Sequence, residues 1–311
     1  MAEIVITEFM DESTVRSLSD DFDVIYDLDL ADRRDRLMTM VADVSGLIVR
    51  NRTIVDAELL TAARELRVVG RLGVGLDNID LEVCRARSIQ VKPAIGANAD
   101  AVAEYVIAAV LALVRGVFLS TDSVTQGAWP RTELAGLEVA GKTLGLVGFG
   151  DISRRVATRA LALGMRVSAH DPYLAPDDPA WDTVHNTELE HLIAHSDAIS
   201  IHVPLTEATA GLFDRQMIRS MKRTAVLVNT ARGGIVDEEA LADALRDRMI
   251  RGAAIDVFEH EPVNRSIGRR FDGVPNLILT PHIAGVTAES NVRVSQLTAD
   301  LVRSVLAGDD Q

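Results

Sequence analysis

The chain has little of several residue types, and each shortage excludes a class of protein. It has one cysteine, Cys84, in 311 residues, so an intrachain disulfide framework and a multi-cysteine metal site are both excluded. Aromatic residues make up only 4% of the chain, but 48% is hydrophobic, so bulk disorder is excluded as well. The longest apolar run, residues 105–114, is shorter than the roughly 20 residues that a membrane-spanning helix needs. These shortages predict a globular, cytoplasmic protein in which Cys84 is a buried, inert thiol.

Positive charge is also scarce, because 32 Lys and Arg residues stand against 46 Asp and Glu residues and the formal net charge is −14. A field of that sign repels nucleic-acid backbones and anionic lipid surfaces, so we expect neither as a partner. We predict a small-molecule ligand and no metal site. Salt adaptation and genomic base composition both stay open as causes of the acidity. We also expect no secretory signal, since the first residues lack a basic flank, and no appended regulatory domain after the last helical pattern.

Short runs of Val, Ile and Leu alternate with helical patterns along the chain, which is typical of parallel sheets built from βαβ units. The runs lack polar alternation, as expected when helices cover both faces of a sheet. The strand candidates are EIVITEF, GLIVRN, RVVGRLG, TLGLVGFG, MRVSAHD, AISIHVP, AVLVNT, AAIDVF and LILTPH. The predicted fold is therefore α/β, with two Rossmann-like doubly wound parallel-sheet domains and a cleft between them.

The domain boundary is predicted from a turn-rich stretch and two helical patterns. KPAIGANAD ends the first block, and a fresh strand opens near Gly141. The stretch between them is apolar almost all round, which predicts a helix buried between the blocks. A final amphipathic pattern with a glycine stop is expected to pack back on the first block. We place the first domain at 1–97 plus 286–311 and the second at 98–285.

The strand–turn–helix stretch after residue 142 indicates a dinucleotide site. Gly148 would make the tight turn, and Gly150 would let the backbone approach a pyrophosphate. The amides of Asp151 and Ile152 would open a helix whose positive end faces that anion. Asp171 follows at the distance where a carboxylate accepts both ribose hydroxyls and repels a 2′-phosphate. This spacing predicts NAD rather than NADP.

One position departs from the dinucleotide pattern. Ser153 occupies the third glycine position, where close helix-to-strand contact favours a minimal side chain. We expect the serine to fit with slight widening. A glycine pair taken alone also fits an ordinary strand-to-helix turn, so the prediction depends on the strand, helix and acidic residue together.

Three polar residues stand just beyond three late strand candidates: Arg232, Glu261 and His282. Because the carboxyl ends of parallel strands line the ligand crevice of an open sheet, we expect these side chains to converge there. Arg232 would hold a substrate carboxylate bidentately. His282 would take the hydroxyl proton in oxidation and return it in reduction. Glu261 would orient the imidazole ring and favour its protonated form.

Each residue of this group also has a structural interpretation. An isolated Arg or Glu is usually a solvated surface charge, and an isolated histidine is usually structural. We expect that structural role for the other histidines, except that His202 follows a strand candidate and is expected to line the cofactor crevice without acting as a base.

At these positions the sequence resembles the D-isomer-specific 2-hydroxyacid dehydrogenase family, with phosphoglycerate-dehydrogenase-like members nearest. The blocks that carry the resemblance are GLIVRNRT (46–53), GRLGVGLDNID (70–80), NADAVAE (98–104), GLVGFGDIS (145–153), HVPLTEATAGL (202–212), NTARGGIVDE (229–238), DVFEHEP (256–262) and TPHIAG (280–285). The resemblance implies NAD-dependent hydride transfer to or from a small 2-hydroxy or 2-oxo acid, with Arg232, Glu261 and His282 as the catalytic triad. It also implies a homodimer joined through cofactor domains, with a first domain that binds substrate and a second that binds NAD.

The resemblance assigns further residues to the two ligands. It implies that the amides of Val74 and Gly75 help bind the substrate carboxylate and that Asp256 holds the nicotinamide carboxamide. The residues that would line the cofactor cleft are Val203, Thr230, Ala231 and Gly285. Taken alone, such residues are typical of core, turn or cap positions.

The resemblance also bears on the substrate. Arg50 matches a position that meets the distal anion of the substrate in phosphoglycerate-type members, and Arg52 and Arg71 would add to a cationic lining. The alternative is that all three form exposed ion pairs, which contribute little to stability. The opening EIVITEFMDE and the block TPHIAGVTAESN are similar to sulfolactate dehydrogenases. We therefore expect a three-carbon acid with a second negative group, (S)-sulfolactate or 3-phosphoglycerate.

Other functions stay open on the same scaffold. One is a hydroxypyruvate or glyoxylate reductase, and another is a non-catalytic NAD-sensing binding protein of the transcriptional-corepressor kind. Formate oxidation is disfavoured because that reaction has no hydroxyl proton for His282 to accept. Steady-state turnover with a reduced cofactor and a 2-oxo acid separates an enzyme from a sensor.

Overall fold

The structure is a computed structural model that describes residues 3–118 and 120–308. Residue contacts divide the described chain into two compact units, one from Met1–Asn98 with Val286–Gln311 and the other from Ala99–Gly285. The strands are β1 (Ile4–Ile6), β2 (Val24–Tyr26), β3 (Gly46–Val49), β4 (Val68–Arg71), β5 (Gln90–Pro93), β6 (Thr143–Val147), β7 (Arg166–His170), β8 (His185–Asn186), β9 (Ala198–Ile201), β10 (Val226–Asn229), β11 (Gly252–Ile255) and β12 (Leu277–Leu279). The α-helices are α1 (Glu12–Ser19), α2 (Arg34–Met40), α3 (Ala57–Ala62), α4 (Leu81–Ala86), α5 (Ala99–Arg115), α6 (Thr121–Thr125), α7 (Asp151–Ala162), α8 (Leu189–His195), α9 (Arg215–Ser220), α10 (Glu238–Arg246), α11 (Arg265–Gly268) and α12 (Ala288–Ala307). Short 3₁₀ turns occupy Leu28–Asp32, Val41–Asp43, Pro179–Asp182 and Arg269–Phe271.

The first unit is built on a parallel sheet in the order β2-β1-β3-β4-β5. Its central strands are fully buried, because helices cover the sheet. The register pairs Ile4 with Gly46 and Gly46 with Val68. The last helix, α12, packs against β4, β5 and α1, so the end of the chain belongs to this unit.

The second unit is built on a parallel sheet in the order β12-β11-β10-β9-β6-β7-β8. Counted from β6, this is the strand order of a Rossmann fold with one strand added at the far edge. α5 carries nine buried residues and packs against α7, β10 and β11. The prediction of two parallel-sheet α/β domains is confirmed.

Three strands have no counterpart among the sequence candidates: β2, β5 and β8. β2 and β5 are the two edges of the first sheet, and β8 is an edge of the second. Edge strands are short and partly solvated, so they lack the continuous apolar run by which a central strand is recognised. The second sheet accordingly has seven strands rather than the six predicted.

Two smaller expectations can be compared with the described residues. Cys84 is 1% exposed, which confirms a buried thiol, and burial raises its pKa. Among residues 3–118 and 120–308, no helix is both long and apolar enough to cross a membrane.

Candidate active site

The strand order of the second sheet reverses between β6 and β9, and this is where an open parallel sheet forms its ligand crevice. Gly148 follows β6 with a φ of +89°, a conformation that favours glycine. A Cβ at Gly148 would lie 2.7 Å from the carbonyl oxygen of His202, so the turn also needs a residue without a side chain. Gly150 then caps α7, and nothing lies within 4 Å of the position where its Cβ would be. The turn therefore leaves open space at the N-terminus of a 12-residue helix.

The helix that follows this turn is fixed by Ser153. Its side chain is fully buried, and its hydroxyl donates to the Gly148 carbonyl at 2.7 Å. The serine thus uses its extra atom to tie the first turn of α7 back to the glycine turn.

Asp171 lies at the same turn, just after β7. One oxygen of its carboxylate accepts the Phe149 amide at 2.9 Å, and the other accepts the Tyr173 amide at 3.0 Å. A carboxylate oxygen has two lone pairs, so both oxygens keep the capacity to accept a ligand hydroxyl. The carboxylate is therefore anchored beside the glycine turn.

Thr230, directly after β10, carries an unpartnered polar atom. Its hydroxyl oxygen is buried and has no hydrogen-bond partner among the described residues. Such an oxygen costs free energy unless a ligand or water satisfies it. Together with the open space at Gly150, this fits a dinucleotide bound along the carboxyl edge of the sheet. Val203 also borders the turn, since its Cγ1 would lie 2.9 Å from a Cβ at Gly148.

The loop that carries Arg232 is held by the side chain of Asn229. The side chain of Asn229 accepts the Ala231 amide at 3.0 Å and donates to the Arg232 carbonyl at 3.0 Å. A Cβ at Gly233 would lie 1.9 Å from the Phe258 carbonyl oxygen. The Arg232 loop therefore lies directly on the loop that carries Glu261.

Glu261 and His282 form a hydrogen-bonded pair. The Nδ1 of His282 is 2.7 Å from Oε2 of Glu261, and Oε1 accepts the Phe258 amide at 2.9 Å. The Glu261 side chain is 30% exposed and the His282 side chain 41%, so a ligand can reach both. His282 adopts a left-handed backbone with φ +53°, a region that costs free energy for a residue with a side chain.

The electrostatics join all three predicted catalytic residues. Burial by itself would raise the pKa of Glu261, but the bond from His282, the Phe258 amide and the charges of His282 and Arg232 outweigh it and lower that pKa. The carboxylate is therefore ionised over the working range. Arg232 and His282 thus both act electrostatically on Glu261, although the three residues are far apart in sequence.

Asp256 organises the loop that carries His282. It is 1% exposed and follows β11 directly. Its carboxylate accepts the amides of Ile283 at 2.8 Å and Ala284 at 2.9 Å, while its carbonyl accepts the His282 amide at 2.8 Å. Three consecutive amides of this loop therefore donate to Asp256, and Gly285 follows them in the chain.

The other histidines separate into the half-buried His202 and structural ones. Removal from water lowers the pKa of His202 to about 4, and its Nε2 lies 2.9 Å from the Ser200 hydroxyl. A neutral imidazole at working pH suits a residue that lines a crevice rather than one that transfers a proton. His170 and His195 each bond a carbonyl within their own region, which is a structural role.

The predicted substrate residues of the first unit follow β3 and β4. Arg50 is half-buried, burial lowers its pKa, and its guanidinium donates to the Asn291 side chain at 3.0 Å. Val74 is 40% exposed in the loop after β4, beside Gly75.

The two neighbouring arginines differ from each other. Arg52 pairs with Asp32, and both side chains are more than half exposed, so the ion-pair alternative is correct for this residue. Arg71 donates to the Leu72 carbonyl at 2.7 Å. The guanidinium of Arg52 is thus neutralised by a carboxylate, whereas that of Arg50 meets an amide.

Sequence reasoning missed two buried acids that hold the loops in place. Glu8 is 5% exposed, and its carboxylate accepts the four consecutive amides of residues 50–53. Glu238, also 5% exposed, accepts the Glu259 amide at 2.7 Å and pairs with Arg270 at 3.0 Å. Glu238 reads in sequence as an ordinary first-turn helix acid, so only its burial distinguishes it.

Comparison with known proteins gives concordant matches. A family profile described as D-isomer specific 2-hydroxyacid dehydrogenase, NAD binding domain, matches residues 107–284. The chain is 53% identical over 307 residues to an (S)-sulfolactate dehydrogenase of Chromohalobacter salexigens, covering 98% of this chain and 99% of that protein. It is 40% identical over 306 residues to a D-3-phosphoglycerate dehydrogenase of Mycobacterium tuberculosis, covering 98% of this chain but only 57% of that longer protein. Among solved structures, a D-lactate dehydrogenase from Aquifex aeolicus complexed with NAD and lactic acid matches with a TM-score of 0.87 at 28% identity, covering 98% of this chain and 96% of that one.

Proposed function

Since the chain belongs to the D-isomer specific 2-hydroxyacid dehydrogenase family and is an NAD-dependent oxidoreductase of hydroxy acids, we propose that its substrate is a three-carbon acid with a second negative group. (S)-Sulfolactate and its 2-oxo partner, sulfopyruvate, are the first choice, because the 53% identical relative carries that activity in its name. 3-Phosphoglycerate is the second. Both offer a carboxylate, a neighbouring alcohol and an anionic tail.

The observation that carries the catalytic part is the bond of 2.7 Å between Glu261 and His282 within range of the Arg232 charge. Because Nδ1 of His282 is engaged by Glu261, Nε2 is the ring nitrogen left to exchange the substrate proton. Bound NAD supplies the acceptor or donor of the hydride. In oxidation, His282 would take the proton of the substrate hydroxyl while the carbon that bears this hydroxyl gives up its hydride. Arg232 would hold the adjacent carboxylate.

The cofactor residues are proposed along the carboxyl edge of the second sheet. The turn at Gly148 and Gly150 and the amides of Asp151 and Ile152 would receive the pyrophosphate. Asp171 would accept the ribose hydroxyls and disfavour a 2′-phosphate. The residues proposed along the rest of the dinucleotide are Val203, Thr230, Ala231, Asp256 and Gly285, and the unpartnered Thr230 hydroxyl supports this assignment. We accordingly assign residues 98–285 to NAD binding.

Residues 1–97 with 286–311 are proposed to bind the substrate. In the first sheet the strand order reverses between β1 and β3, and Arg50 directly follows β3. Its half-buried guanidinium hydrogen-bonds to an amide and feels the Glu8 charge, but the Glu8 oxygens accept backbone amides, so the guanidinium stays available to an anionic tail. We therefore propose that Arg50 binds the sulfonate or phosphate and that the amides of Val74 and Gly75 bind the carboxylate.

We further propose a cytoplasmic homodimer joined through the second unit. Phe118, Val124 and Trp129 of that unit are 67%, 45% and 75% exposed, which is unusual for a surface that meets only water. Val124 and Trp129 also line a cavity of about 250 Å³ with Pro130 and Leu134. A single buried thiol suits a reducing compartment. Light scattering should give twice the 33.6 kDa chain mass, and Trp129→Asp should lower it.

A panel of 2-oxo acids tests the proposed substrate. Sulfopyruvate, phosphohydroxypyruvate, hydroxypyruvate and glyoxylate would each be assayed with NADH and with NADPH by the loss of reduced cofactor. We expect the highest kcat/KM with NADH and an acid that carries a sulfonate or phosphate. A higher kcat/KM with hydroxypyruvate or glyoxylate would favour a reductase of those acids. Binding of NADH without turnover of any of the four would favour an NAD-sensing protein, and a preference for NADPH would overturn the role of Asp171.

A further inference from the structure

The loop that carries His282 depends on one buried carboxylate, that of Asp256. The His282 backbone is in the costly left-handed region, so something must hold it there. The bonds that do so are the amides of Ile283 and Ala284 on the Asp256 carboxylate and the His282 amide on the Asp256 carbonyl. A rotation of the Asp256 side chain would release two of these three bonds.

Two hydroxyls fix the rotation of that carboxylate. The Thr280 hydroxyl donates to Oδ1 of Asp256 at 2.6 Å, and the Tyr105 hydroxyl lies 2.6 Å from the Thr280 oxygen. A threonine hydroxyl has a single proton, and here it goes to the carboxylate. Tyr105 must therefore be the donor to Thr280, and the chain of donors runs from Tyr105 through Thr280 to Asp256.

The phenol of Tyr105 keeps its proton at working pH. Burial raises its pKa, the Thr280 bond opposes this with a smaller effect, and the negative charge of Asp256 adds a still smaller rise. Tyr105 sits on α5, which packs against α7, β10 and β11. The donor chain thus starts on a well-packed helix and ends on the loop of His282.

We propose that Tyr105 and Thr280 are positioning residues: their two hydroxyls fix the Asp256 carboxylate and thereby hold His282 at the place where it exchanges the substrate proton. Neither hydroxyl needs to touch substrate or cofactor for this role. The inference rests on the proposed function of His282, and it adds two residues that act through Asp256.

The test uses Thr280→Val, which keeps the shape and removes the donor, with Thr280→Ser as the variant that restores it. Tyr105→Phe removes the outer donor, and Thr39→Val removes an exposed hydroxyl on α2 as a matched control. The full-length variants would be assayed with NADH and the 2-oxo acid that the parent reduces best. We expect Thr280→Val to lower kcat about 10- to 100-fold, since small misplacements of a catalytic group cost that much, and Tyr105→Phe to lower it about 3- to 10-fold. Thr280→Ser and Thr39→Val should stay within about threefold of the parent.

Two further readouts separate positioning from a general loss of structure. The dissociation constant for NADH should change less than kcat in Thr280→Val. kcat should also return to within about threefold of the parent in Thr280→Ser, which restores the hydroxyl. Equal losses of NADH affinity and kcat, or no recovery of kcat in Thr280→Ser, would contradict the proposal.

A measurement without turnover keeps this inference separate from the proposed function. Amide hydrogen exchange of residues 280–286 should be faster in Thr280→Val than in the parent and unchanged in Thr280→Ser. Unchanged exchange in Thr280→Val overturns the positioning role whatever happens to kcat. If the parent reduces no 2-oxo acid, the proposed function fails, and the exchange experiment still decides whether the hydroxyls hold the loop.

Discussion

At the residue scale, His282 combines an unfavourable backbone with a ring nitrogen that a carboxylate holds. Its φ of +53° lies in the left-handed region, which is uncommon for any residue other than glycine. Its ring is oriented by Glu261 at 2.7 Å, and its amide is held by Asp256. Such strain persists only where the surroundings over-determine the conformation, which supports a role in catalysis.

Replacing His282 by asparagine removes the proton carrier while allowing the left-handed backbone. We expect His282→Asn to lower kcat about 100-fold or more, because a positioned general acid contributes at least that much. The affinity for NADH should stay within about twofold, since the change leaves the glycine turn intact. Stopped-flow turnover and fluorescence titration of NADH measure the two quantities. A variant that keeps parental turnover would show that another group moves the proton.

Glu261 links the site to the pH dependence of stability. Burial would raise its pKa, but the bonds from His282 and the Phe258 amide lower it below the ordinary value of 4.5. A carboxylate whose folded pKa is depressed stabilises the native state fully above its unfolded pKa, and this contribution is lost as the pH falls through the folded pKa. The stabilising effect of Glu261 therefore belongs to neutral and mildly acidic solution.

The direction of this pH dependence can be tested with Glu261→Gln. Its free energy of unfolding should be lower than that of the parent at about pH 7 and should approach that of the parent near about pH 3. Denaturant melts at both pH values measure the difference. A difference that grows as the pH falls would have the wrong sign for a depressed carboxyl pKa.

At the element scale, the site depends on how closely loops approach one another. Gly233 lies against the Phe258 carbonyl, so the Arg232 and Glu261 loops meet backbone to backbone. Gly150 is the opposite case, because its Cβ position is surrounded by open space. The fold itself therefore requires a glycine at 233, whereas at 150 only a bound ligand would require one.

Alanine at each position makes the comparison. Gly233→Ala should lower both the melting temperature and kcat, because its Cβ would lie 1.9 Å from a backbone oxygen. Gly150→Ala should lower the melting temperature much less than Gly233→Ala, since it only replaces the glycine N-cap of α7, and should weaken NADH binding about tenfold or more, because the added methyl occupies the space proposed for the pyrophosphate. Calorimetry without ligand and NADH titration measure both effects. Unchanged NADH affinity in Gly150→Ala would place the pyrophosphate elsewhere.

Much of the element order follows from the sequence, and the exceptions have a common cause. Central strands are recognisable in a sequence as apolar runs, so β6, β9 and β10 were predictable. β5, with the sequence QVKP, and β8, with HN, are edges that need no such run. The family and its hydride chemistry were likewise predictable, because the motifs at the strand ends carry them, and the comparisons confirm both.

The supporting contacts of the site were not predictable in the same way. Glu8, Tyr105 and Thr280 act through bonds to residues 24 to 175 positions away along the chain, from the link of Thr280 to Asp256 up to that of Tyr105 to Thr280. No local spacing encodes such a pair. A sequence shows which side chains stand at strand ends, and only the fold shows which buried groups hold them.

At the scale of the whole molecule, the two units repeat one construction with different chemistry. Each sheet reverses its strand order beside its first strand, at β1 and β3 in one unit and at β6 and β9 in the other. In the second unit, Arg232, Glu261 and His282 lie on the carboxyl side of the sheet. In the first unit, Arg50 lies on the carboxyl side of that unit's own sheet. In a chain with a net charge of −14, a guanidinium that forms no ion pair at contact distance within the described residues is a specific attraction for an anion, although the Glu8 charge also acts on it.

The most direct test of the whole account is the preference for sulfopyruvate over pyruvate, measured as the ratio of kcat/KM with NADH in the parent, Arg50→Gln and Arg52→Gln. Arg52 is the matched control, because its guanidinium is already paired with Asp32. We predict that the parent prefers sulfopyruvate by about tenfold or more, that Arg50→Gln loses most of this preference, and that Arg52→Gln keeps it. Equal losses on both substrates in Arg50→Gln, or no preference in the parent, would contradict recognition of an anionic tail by Arg50.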